Sequence, residues 1–288
     1  MNFYTPLRYP GGKGKLALYL KAILSENSLI GCRYSEVYAG GAGVAIELLL
    51  DGYVSSICIN DLNTHIHAFW DCVLNRTDAL CKLINDTDVN IEEWHRQKQI
   101  YSKGIDATIL QQAFATFFLN RSNRSGIMKA GVIGGKNQDG KWKLDARYNK
   151  SDLIGRIQKI SGERNRIELT RLDGLEFIQN RVNQGGEPSI VYLDPPYYVK
   201  GKGLYDNFYT HNDHVAVANA LRKVKGANWV VSYDNAPEIE AMYTGFSSIK
   251  YGLSYSAAQR YRASEIMFFS RSIKSIPNLE DYGYKKAA

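Results

Sequence analysis

A carboxylate, two prolines and an aromatic ring stand together in the segment Asp194-Pro195-Pro196-Tyr197, directly after the apolar stretch 189–193. The prolines fix the backbone angle φ and donate no hydrogen bond, so neighbouring carbonyl groups remain as directed acceptors. Asp194 and the Pro195 carbonyl can each accept a hydrogen bond from an amino group, and Tyr197 can stack on the ring that carries this group. The alternative is a turn that the prolines merely stiffen. The combination favours a catalytic site for a planar ring with an exocyclic amine.

A glycine-rich loop, Ala39–Gly43, follows the strand-like stretch Tyr34–Tyr38 and precedes a helical one. Glycine lets the backbone approach a ligand closely, and N–H groups at the start of the next helix are free to bind it. The third small residue of a dinucleotide fingerprint is missing, because position 46 is Ile46. Gly12-Lys13 and Gly14-Lys15 lack the remaining residues of a phosphate-binding P-loop. Both of these motifs fail, and a plain tight turn is the alternative to a ligand loop.

An acidic residue, Asp61, ends the second strand-like stretch, 18 residues after Gly43. This is close to the spacing at which a carboxylate binds the hydroxyl groups of a ribose. The alternative is an ordinary aspartate that caps the helix starting near Asn63. The glycine-rich loop upstream favours the ribose role.

The basic charge is concentrated in one part of the chain. The net charge is +7, yet residues 120–171 alone hold 13 Lys or Arg and 5 Asp or Glu, a net of +8. Such a concentration favours a polyanionic partner, although a solvated basic surface is the alternative.

We expect no membrane span, since no apolar run is long enough. We also expect no metal site, since the histidines are few and scattered and the four cysteines have no CxxC spacing.

Strand-like and helix-like stretches alternate towards both ends of the chain, which predicts parallel strands connected by helices. The pattern is helical from about residue 63 to residue 120, and Asp139-Gly140 then predicts the turn of a β-hairpin. Two late stretches, 247–253 and 264–270, predict an antiparallel pair. Ser232–Asn235 follows a strand and either borders the site or caps the next helix. The last residues, from Asn278, are typical of a polar tail.

These elements predict an α/β fold whose mostly parallel sheet, with an antiparallel strand at its end, is interrupted by an inserted module. We expect residues 1–62 and 165–288 to form the sheet domain. Residues 63–164 are expected to form an inserted helical module with a basic β-hairpin. An insertion at the carboxyl end of a strand lies beside the ligand crevice of such a sheet.

Five segments, in this order along the chain, resemble the Dam-type DNA adenine methyltransferases. They are Leu7–Lys13, Glu36–Gly41, Asn60–Asn63, Phe118–Arg121 and Asp194–Tyr197. The resemblance extends over roughly residues 6–270 and implies a Rossmann-like methyltransferase sheet. It also implies S-adenosyl-L-methionine as cofactor and double-stranded DNA as partner.

The resemblance assigns roles to individual residues. Lys13 is expected to pair with the methionyl carboxylate of the cofactor, Asp61 to bind its ribose, and Asp194 to touch both cofactor and target amine. The full expected cofactor set is Tyr9, Pro10, Gly11, Gly12, Lys13, Tyr38, Gly40, Gly41, Asp61, Leu172, Asp173 and Asp194. The expected catalytic set is Asp194, Pro195, Pro196 and Tyr197.

The expected DNA contacts lie in the basic stretch and are Asn120, Arg121, Asn123, Arg124, Lys136, Lys141 and Lys143. Arg121 has a structural alternative, in which it ties the hairpin to the helical module. Family members that read GATC carry an aromatic- and Gly-rich segment after Asn-Arg. Here the segment is Ser122–Lys129, so specificity for GATC is not implied.

We therefore expect a cytoplasmic enzyme that methylates the exocyclic amine of adenine in DNA after flipping the base out of the helix. Restriction–modification, phage maintenance and chromosome maintenance are alternative roles for such an enzyme. One alternative is methyl transfer to another planar amine, in cytosine, RNA or a protein amide. Aspartate rather than asparagine at position 194 and the basic module disfavour RNA and protein. The other alternative is a DNA-binding relative that has lost catalysis.

Overall fold

The computed structural model of the protein describes residues 4–8, 14–103, 107–182, 188–199, 209–254 and 262–286. The chain divides into two compact units. We call one the sheet unit, which comprises Lys13–Asn63 and Thr170–Ala288. The other is the inserted unit, which comprises Met1–Gly12 and Thr64–Leu169.

Eight strands among the described residues form one sheet in the order β3-β2-β1-β4-β5-β7-β6-β8. They are β1 (Arg33–Glu36), β2 (Ser56–Asn60), β3 (Ile167–Thr170), β4 (Ser189–Leu193), β5 (Asn228–Asp234), β6 (Ser247–Ser254), β7 (Arg262–Phe269) and β8 (Lys285–Lys286). Strand β1 pairs in parallel with β2 and β4, and β4 pairs in parallel with β5. Strand β7 pairs antiparallel with β5 and β6. The predicted mostly parallel α/β sheet with antiparallel strands at its end is confirmed.

The central strands are buried on both faces, as expected for parallel strands covered by helices. Val191 and Leu193 of β4 pack in one apolar cluster with Trp229 and Val231 of β5 and with Phe268 of β7. Helices from the same unit complete the layers. They are α1 (Gly14–Glu26), α2 (Gly43–Leu50), α8 (Gly174–Phe177), α9 (His211–Lys223) and α10 (Pro237–Met242). The helical stretch expected after the glycine-rich loop is α2, and the helix expected after Ser232–Asn235 is α10.

The inserted unit is helical, as predicted. Its helices are α3 (Thr64–Asn75), α4 (Thr77–Asp86), α5 (Ile91–Lys103), α6 (Ile109–Ser122) and α7 (Lys150–Gly162). Helix α6 begins with a capping box, in which Thr108 accepts from the Gln111 N–H at 3.2 Å and the Gln111 side chain accepts from the Thr108 N–H at 2.9 Å. Most of α6 from Ala113 to Ser122 is buried, so this helix forms the core of the unit.

The predicted β-hairpin around Asp139-Gly140 is wrong. All residues between 107 and 182 are described, and the stretch from Arg124 to Asn149 contains only turns, one short 3₁₀ turn and the isolated bridge partner Val132. The side chain of Gln138 donates to the Ile133 carbonyl at 2.8 Å and accepts from the Leu144 N–H at 2.9 Å. A side-chain amide thus takes the backbone partners that a strand ladder would have used.

The predicted polar tail is also wrong. Leu279 and Tyr284 are buried, with 6% and 7% of their surface exposed. Strand β8 pairs with β6 through Gly252 and Lys285. The Tyr284 ring packs edge-on against Tyr251, with 5.1 Å between the ring centroids. The segment therefore closes one end of the sheet, and the charged residues between its apolar ones obscured this role in the sequence.

Two buried asparagines hold the end of α6 within the inserted unit. Asn120 accepts from the Arg8 N–H at 2.6 Å and donates to the carbonyls of Arg8 and Gly126 at 2.7 and 3.0 Å. Asn123 accepts from Trp94 Nε1 at 2.7 Å and donates to two carbonyls, those of residues 127 and 128, at 3.1 and 3.0 Å. Only 2% of Asn120 and 1% of Asn123 is exposed. Both amide groups are fully used inside the unit.

Replacing Asn123 with alanine should destabilise the inserted unit. The change leaves the buried Trp94 N–H and two carbonyls without their partner, so we expect the free energy of unfolding to fall by about 1–3 kcal/mol. Urea unfolding followed by circular dichroism measures this change. Asn137→Ala, at an exposed position, is the matched control, and equal unfolding midpoints for the two variants would contradict an anchoring role for Asn123.

Candidate functional site

The carboxyl ends of the parallel strands meet at one edge of the sheet, where α/β proteins of this kind bind their ligands. The loop after β1 is held between its two neighbours in the sheet. The Val37 N–H donates to the Tyr192 carbonyl of β4 at 3.1 Å, and the Ala39 N–H donates to the Asn60 carbonyl of β2 at 2.9 Å. The glycine-rich loop, Asp61 and Asp194 therefore follow strand ends that lie side by side.

Asn60, the last residue of β2, bonds the segments at the ends of β1 and β3 with its buried side chain. Its amide group donates to the Val37 carbonyl at 2.9 Å and to the Leu172 carbonyl at 3.0 Å. Its oxygen accepts from the Leu172 N–H at 2.8 Å and from the Thr170 hydroxyl at 2.7 Å. The sequence indicates Asn60 only as part of a matched segment, and its position directly before Asp61 is the one signal that could have singled it out.

Asp61 orders the glycine-rich loop. One carboxylate oxygen accepts from the Gly40 N–H at 2.8 Å, and the other accepts from the Asn63 N–H at 2.9 Å. Burial raises the pKa of Asp61, and the two N–H donors oppose this rise. Because α3 begins at Thr64, the Asn63 contact closes a turn ahead of the helix and does not cap it, whereas the Gly40 contact joins Asp61 to the loop. Each oxygen keeps a further acceptor position, so this carboxylate also fits the hydroxyl groups of a ribose.

Tyr38 packs closely over the start of α8. A Cβ atom at Gly174 would lie 2.2 Å from the Tyr38 hydroxyl oxygen, so a residue with a side chain cannot occupy position 174 without displacing the ring. The same hydroxyl is 2.9 Å from that of Tyr209. Burial raises the pKa of Tyr38 well above its ordinary value and that of Tyr209 to about 12. Both phenols are therefore neutral hydrogen-bonding groups at physiological pH.

Besides Asp194, the structure describes four of the remaining expected cofactor residues. Leu172 is bonded to Asn60 through both backbone polar groups, and Asp173 caps α8 by accepting from the Leu175 N–H at 2.9 Å. Gly40 and Gly41 are buried in the loop after β1. The expected residues Tyr9, Pro10, Gly11, Gly12 and Lys13 lie outside the described residues.

Asp194 is positioned by a chain of hydroxyl groups from two strands. The Ser232 hydroxyl donates to Asp194 Oδ1 at 2.9 Å, and the Tyr192 hydroxyl lies 2.6 Å from Ser232 Oγ. Because the Ser232 proton points to the carboxylate, Tyr192 is the donor to Ser232. Tyr192 and Ser232 are both buried, with 1% exposed, whereas Asp194 is partly exposed. Buried hydroxyl groups thus orient the Asp194 carboxylate, which remains partly exposed to solvent.

The rest of the motif is fixed from β5 and β7. The Tyr197 hydroxyl donates to the buried Glu265 at 2.6 Å, and Glu265 also accepts from the Tyr251 hydroxyl at 2.8 Å. The buried Asp234 accepts from the N–H groups of Tyr198 and Val199 at 2.8 and 2.9 Å. Pro195 and Pro196 are buried. The sequence indicated Ser232–Asn235 as a border or a cap, and gave no signal for Glu265.

The expected DNA contacts divide into buried and exposed residues of the inserted unit. Asn120 and Asn123 are buried with their amides bonded as described above. Arg121 donates to the carbonyls of Arg147 at 2.7 Å and Pro6 at 3.4 Å, and burial lowers its pKa to about 10. These contacts favour the structural alternative for Arg121. The exposed members of the set are Arg124, Lys136, Lys141 and Lys143.

Within the part of the chain that the structure describes, no helix is both long and apolar enough to cross a membrane. The same residues contain no group of three or more His, Cys, Asp or Glu side chains able to hold a metal ion. The four cysteines are free and buried.

Solved structures similar to this chain include two methyltransferases. The rRNA methyltransferase aviRa from Streptomyces viridochromogenes has a TM-score of 0.42 and 11% identity, over 92% of this chain and 88% of that one. A SAM-dependent methyltransferase from Agrobacterium tumefaciens has a TM-score of 0.40 and 10% identity, over 89% of this chain and 62% of that one. At these values neither likeness bears on substrate. No curated protein matches the chain significantly.

The model of one protein family matches residues 9–256, which is most of the chain. This range contains the glycine-rich loop, Asp61 and the Asp194 motif, whose strand-end positions are described above. The family is described as the D12 class of N6 adenine-specific DNA methyltransferases. The chain therefore belongs to the D12 class N6 adenine-specific DNA methyltransferase family.

Proposed function

We propose that the protein transfers a methyl group from S-adenosyl-L-methionine to the exocyclic amine of adenine in double-stranded DNA, with the target base turned out of the helix. Family membership supports methyl transfer and this cofactor. The observation that carries the choice of an amine as acceptor is Asp194, a partly exposed carboxylate that Ser232 orients through one oxygen. The exposed cations of the inserted unit support a polyanionic substrate.

Binding of the cofactor falls to residues at three strand ends. Asp61 would hold the ribose hydroxyls of the cofactor, Tyr38 and the glycine-rich loop would hold its methionine part, and Leu172 with Asp173 would hold its adenine. When bound, S-adenosyl-L-methionine supplies a methyl group that its positively charged sulfur makes electrophilic. The residues that order the loop, Asp61 and Asn60, keep this surface in place before the cofactor arrives.

The residues around Asp194 prepare the target amine. The lone pair of an adenine amine is delocalised into the ring, which makes the nitrogen a poor nucleophile. Asp194 and the Pro195 carbonyl accept the two hydrogens of the amine and so favour a pyramidal nitrogen with an available lone pair. Tyr197 stacks on the ring, and this contact offsets about 1–3 kcal/mol of the few kcal/mol that base flipping costs. The methylated nitrogen is strongly acidic, so its proton leaves after transfer. Catalysis rests on positioning and electrostatics.

Mass analysis of digested product tests the proposed reaction. After incubation of duplex DNA with the protein and labelled S-adenosyl-L-methionine, we expect label in N6-methyladenine.

Asp194→Ala should lower kcat about 100-fold or more, because it removes an acceptor needed in the transition state. Ser232→Ala should lower kcat about tenfold, with the rate restored in Ser232→Thr, which keeps the hydroxyl. Label in cytosine or only in RNA would contradict the substrate, and near-normal turnover of Asp194→Ala would contradict the mechanism.

Asp61→Asn should weaken binding of S-adenosyl-L-methionine. The change removes the charge and places an NH2 group against the N–H of Gly40 or Asn63. Loss of one charged hydrogen bond corresponds to about 10- to 150-fold in affinity. Isothermal titration calorimetry measures this affinity, and DNA binding should change less. The control is Asp281→Asn, at an exposed position of the same unit, and equal cofactor affinities in both variants would refute the assignment of Asp61.

Arg124→Ala should relax the choice of DNA sequence. Arg124 is exposed, and arginine reads guanine through two hydrogen bonds worth about 1–3 kcal/mol of discrimination. Arg121→Ala is the comparison, since its guanidinium bonds Arg147 and Pro6. We expect Arg121→Ala to lower the thermal unfolding midpoint and leave the methylated motif unchanged. Methylome sequencing of cells that express each variant gives the motif, and an unchanged motif for Arg124→Ala would remove this residue from sequence readout.

A further inference from the structure

A compact loop in the inserted unit, residues 133–144, presents an exposed tryptophan. We call it the Gln138 loop, because the side chain of Gln138 organises it. Gln138 Nε2 donates to the Ile133 carbonyl at 2.8 Å and the Gly135 carbonyl at 2.6 Å, and Oε1 accepts from the Leu144 N–H at 2.9 Å. The Lys143 ammonium group donates to the Gln138 carbonyl. These bonds fix both ends of the loop to one central residue.

The backbone of the Gln138 loop is closely packed. Gly134 has a φ of +85°, and a Cβ atom there would lie 2.7 Å from the Trp142 carbonyl oxygen. The Gly140 N–H donates to the Gly134 carbonyl at 3.1 Å. Leu144, only 5% exposed, anchors the end of the loop in the core. The backbone that carries Trp142 is therefore ordered.

Trp142 differs from the other tryptophans of the chain. Its side chain is 65% exposed, whereas Trp70, Trp94 and Trp229 are at most 1% exposed. The Lys141 ammonium group lies over its ring, 5.8 Å from the centroid. A large aromatic ring left in water on an ordered loop is typical of a binding surface, where burial on association recovers the hydrophobic free energy.

The charge around Trp142 indicates the partner. Between residues 129 and 150 the chain has six Lys or Arg and two acidic residues, Asp139 and Asp145. Lys136, Lys141 and Lys143 are exposed on the same loop. Cations bind phosphates without regard to sequence, and an aromatic ring stacks on a base. A planar ring among cations thus matches both components of a nucleic acid.

We propose that Trp142 is a DNA-contacting residue, whose indole stacks on a base that the bound DNA leaves unstacked, while the neighbouring lysines contact phosphates. The hydrogen bonds of Gln138 order the backbone of the loop that carries this indole. This inference rests on the proposed function, because it takes DNA as the substrate. It adds an aromatic contact to a base, made by a residue outside the expected set of DNA contacts.

Tryptophan fluorescence tests the contact directly, because the other three tryptophans are buried. Titration with a duplex oligonucleotide should quench the emission and protect it from acrylamide. Trp142→Phe should abolish this signal and keep most of the affinity, whereas Trp142→Ala should weaken DNA binding about tenfold or more. The salt dependence of Trp142→Ala should equal that of the parent. Joint replacement of Lys136, Lys141 and Lys143 by Gln should instead make the affinity less dependent on salt. The slope of log affinity against log salt concentration should decrease by about 0.9 for each phosphate that the variant no longer neutralises.

Three outcomes separate the two proposals. If the parent protein neither binds nor methylates duplex DNA, the proposed function fails and the Trp142 contact fails with it. If DNA is bound and methylated while Trp142 emission and acrylamide access stay constant, the contact is overturned and the proposed function stands. If vesicles of anionic phospholipid quench Trp142 and DNA does not, the loop is a membrane-binding surface and the inference is wrong.

Discussion

The buried amide of Asn60 is the interaction on which the site depends. Four hydrogen bonds from one side chain join the segments that follow β1 and β3 to the end of β2. Removing them would leave buried backbone groups without partners, at about 1–3 kcal/mol for each group. An isolated strand end has no preferred exit direction for its loop. Asn60 supplies that direction, and Asp61, the next residue, then fixes the glycine-rich loop through Gly40.

The Asp194 motif illustrates a second constraint, which follows from its own composition. Two consecutive prolines donate no backbone hydrogen bond, so the motif cannot stabilise itself through a ladder. Its geometry is instead set by side chains from neighbouring strands. Ser232 holds the carboxylate, Asp234 holds the backbone after the motif, and Glu265 holds the Tyr197 hydroxyl. The geometry of the motif thus depends on donors and acceptors supplied by residues of β5 and β7.

The sequence was sufficient to predict the elements that carry a strong local pattern. The apolar stretch 189–193 is β4, and the stretch predicted to be helical, from about residue 63 to residue 120, contains α3 to α6. The contacts that position the motif could not be predicted, since Ser232 and Glu265 lie 38 and 68 residues from their partners in the motif. The hairpin was wrong because the side chain of Gln138 competes with strand pairing, a choice that turn signals do not reveal. Helix α7 was missed, and its sequence carries a glycine, Gly155, near its centre.

The sheet order also sets the sequence of events during synthesis. Strand β1 can pair early with β2, but its other parallel partner, β4, is translated only after the helical insertion. Non-local pairing of this kind is slow to form, whereas helices make their contacts as they leave the ribosome. Strand β7, which brings Glu265 to Tyr197, is translated later still. A nascent chain can therefore complete its helical part well before the Asp194 motif acquires its supporting contacts, the last of which form only once nearly all of the polypeptide has emerged.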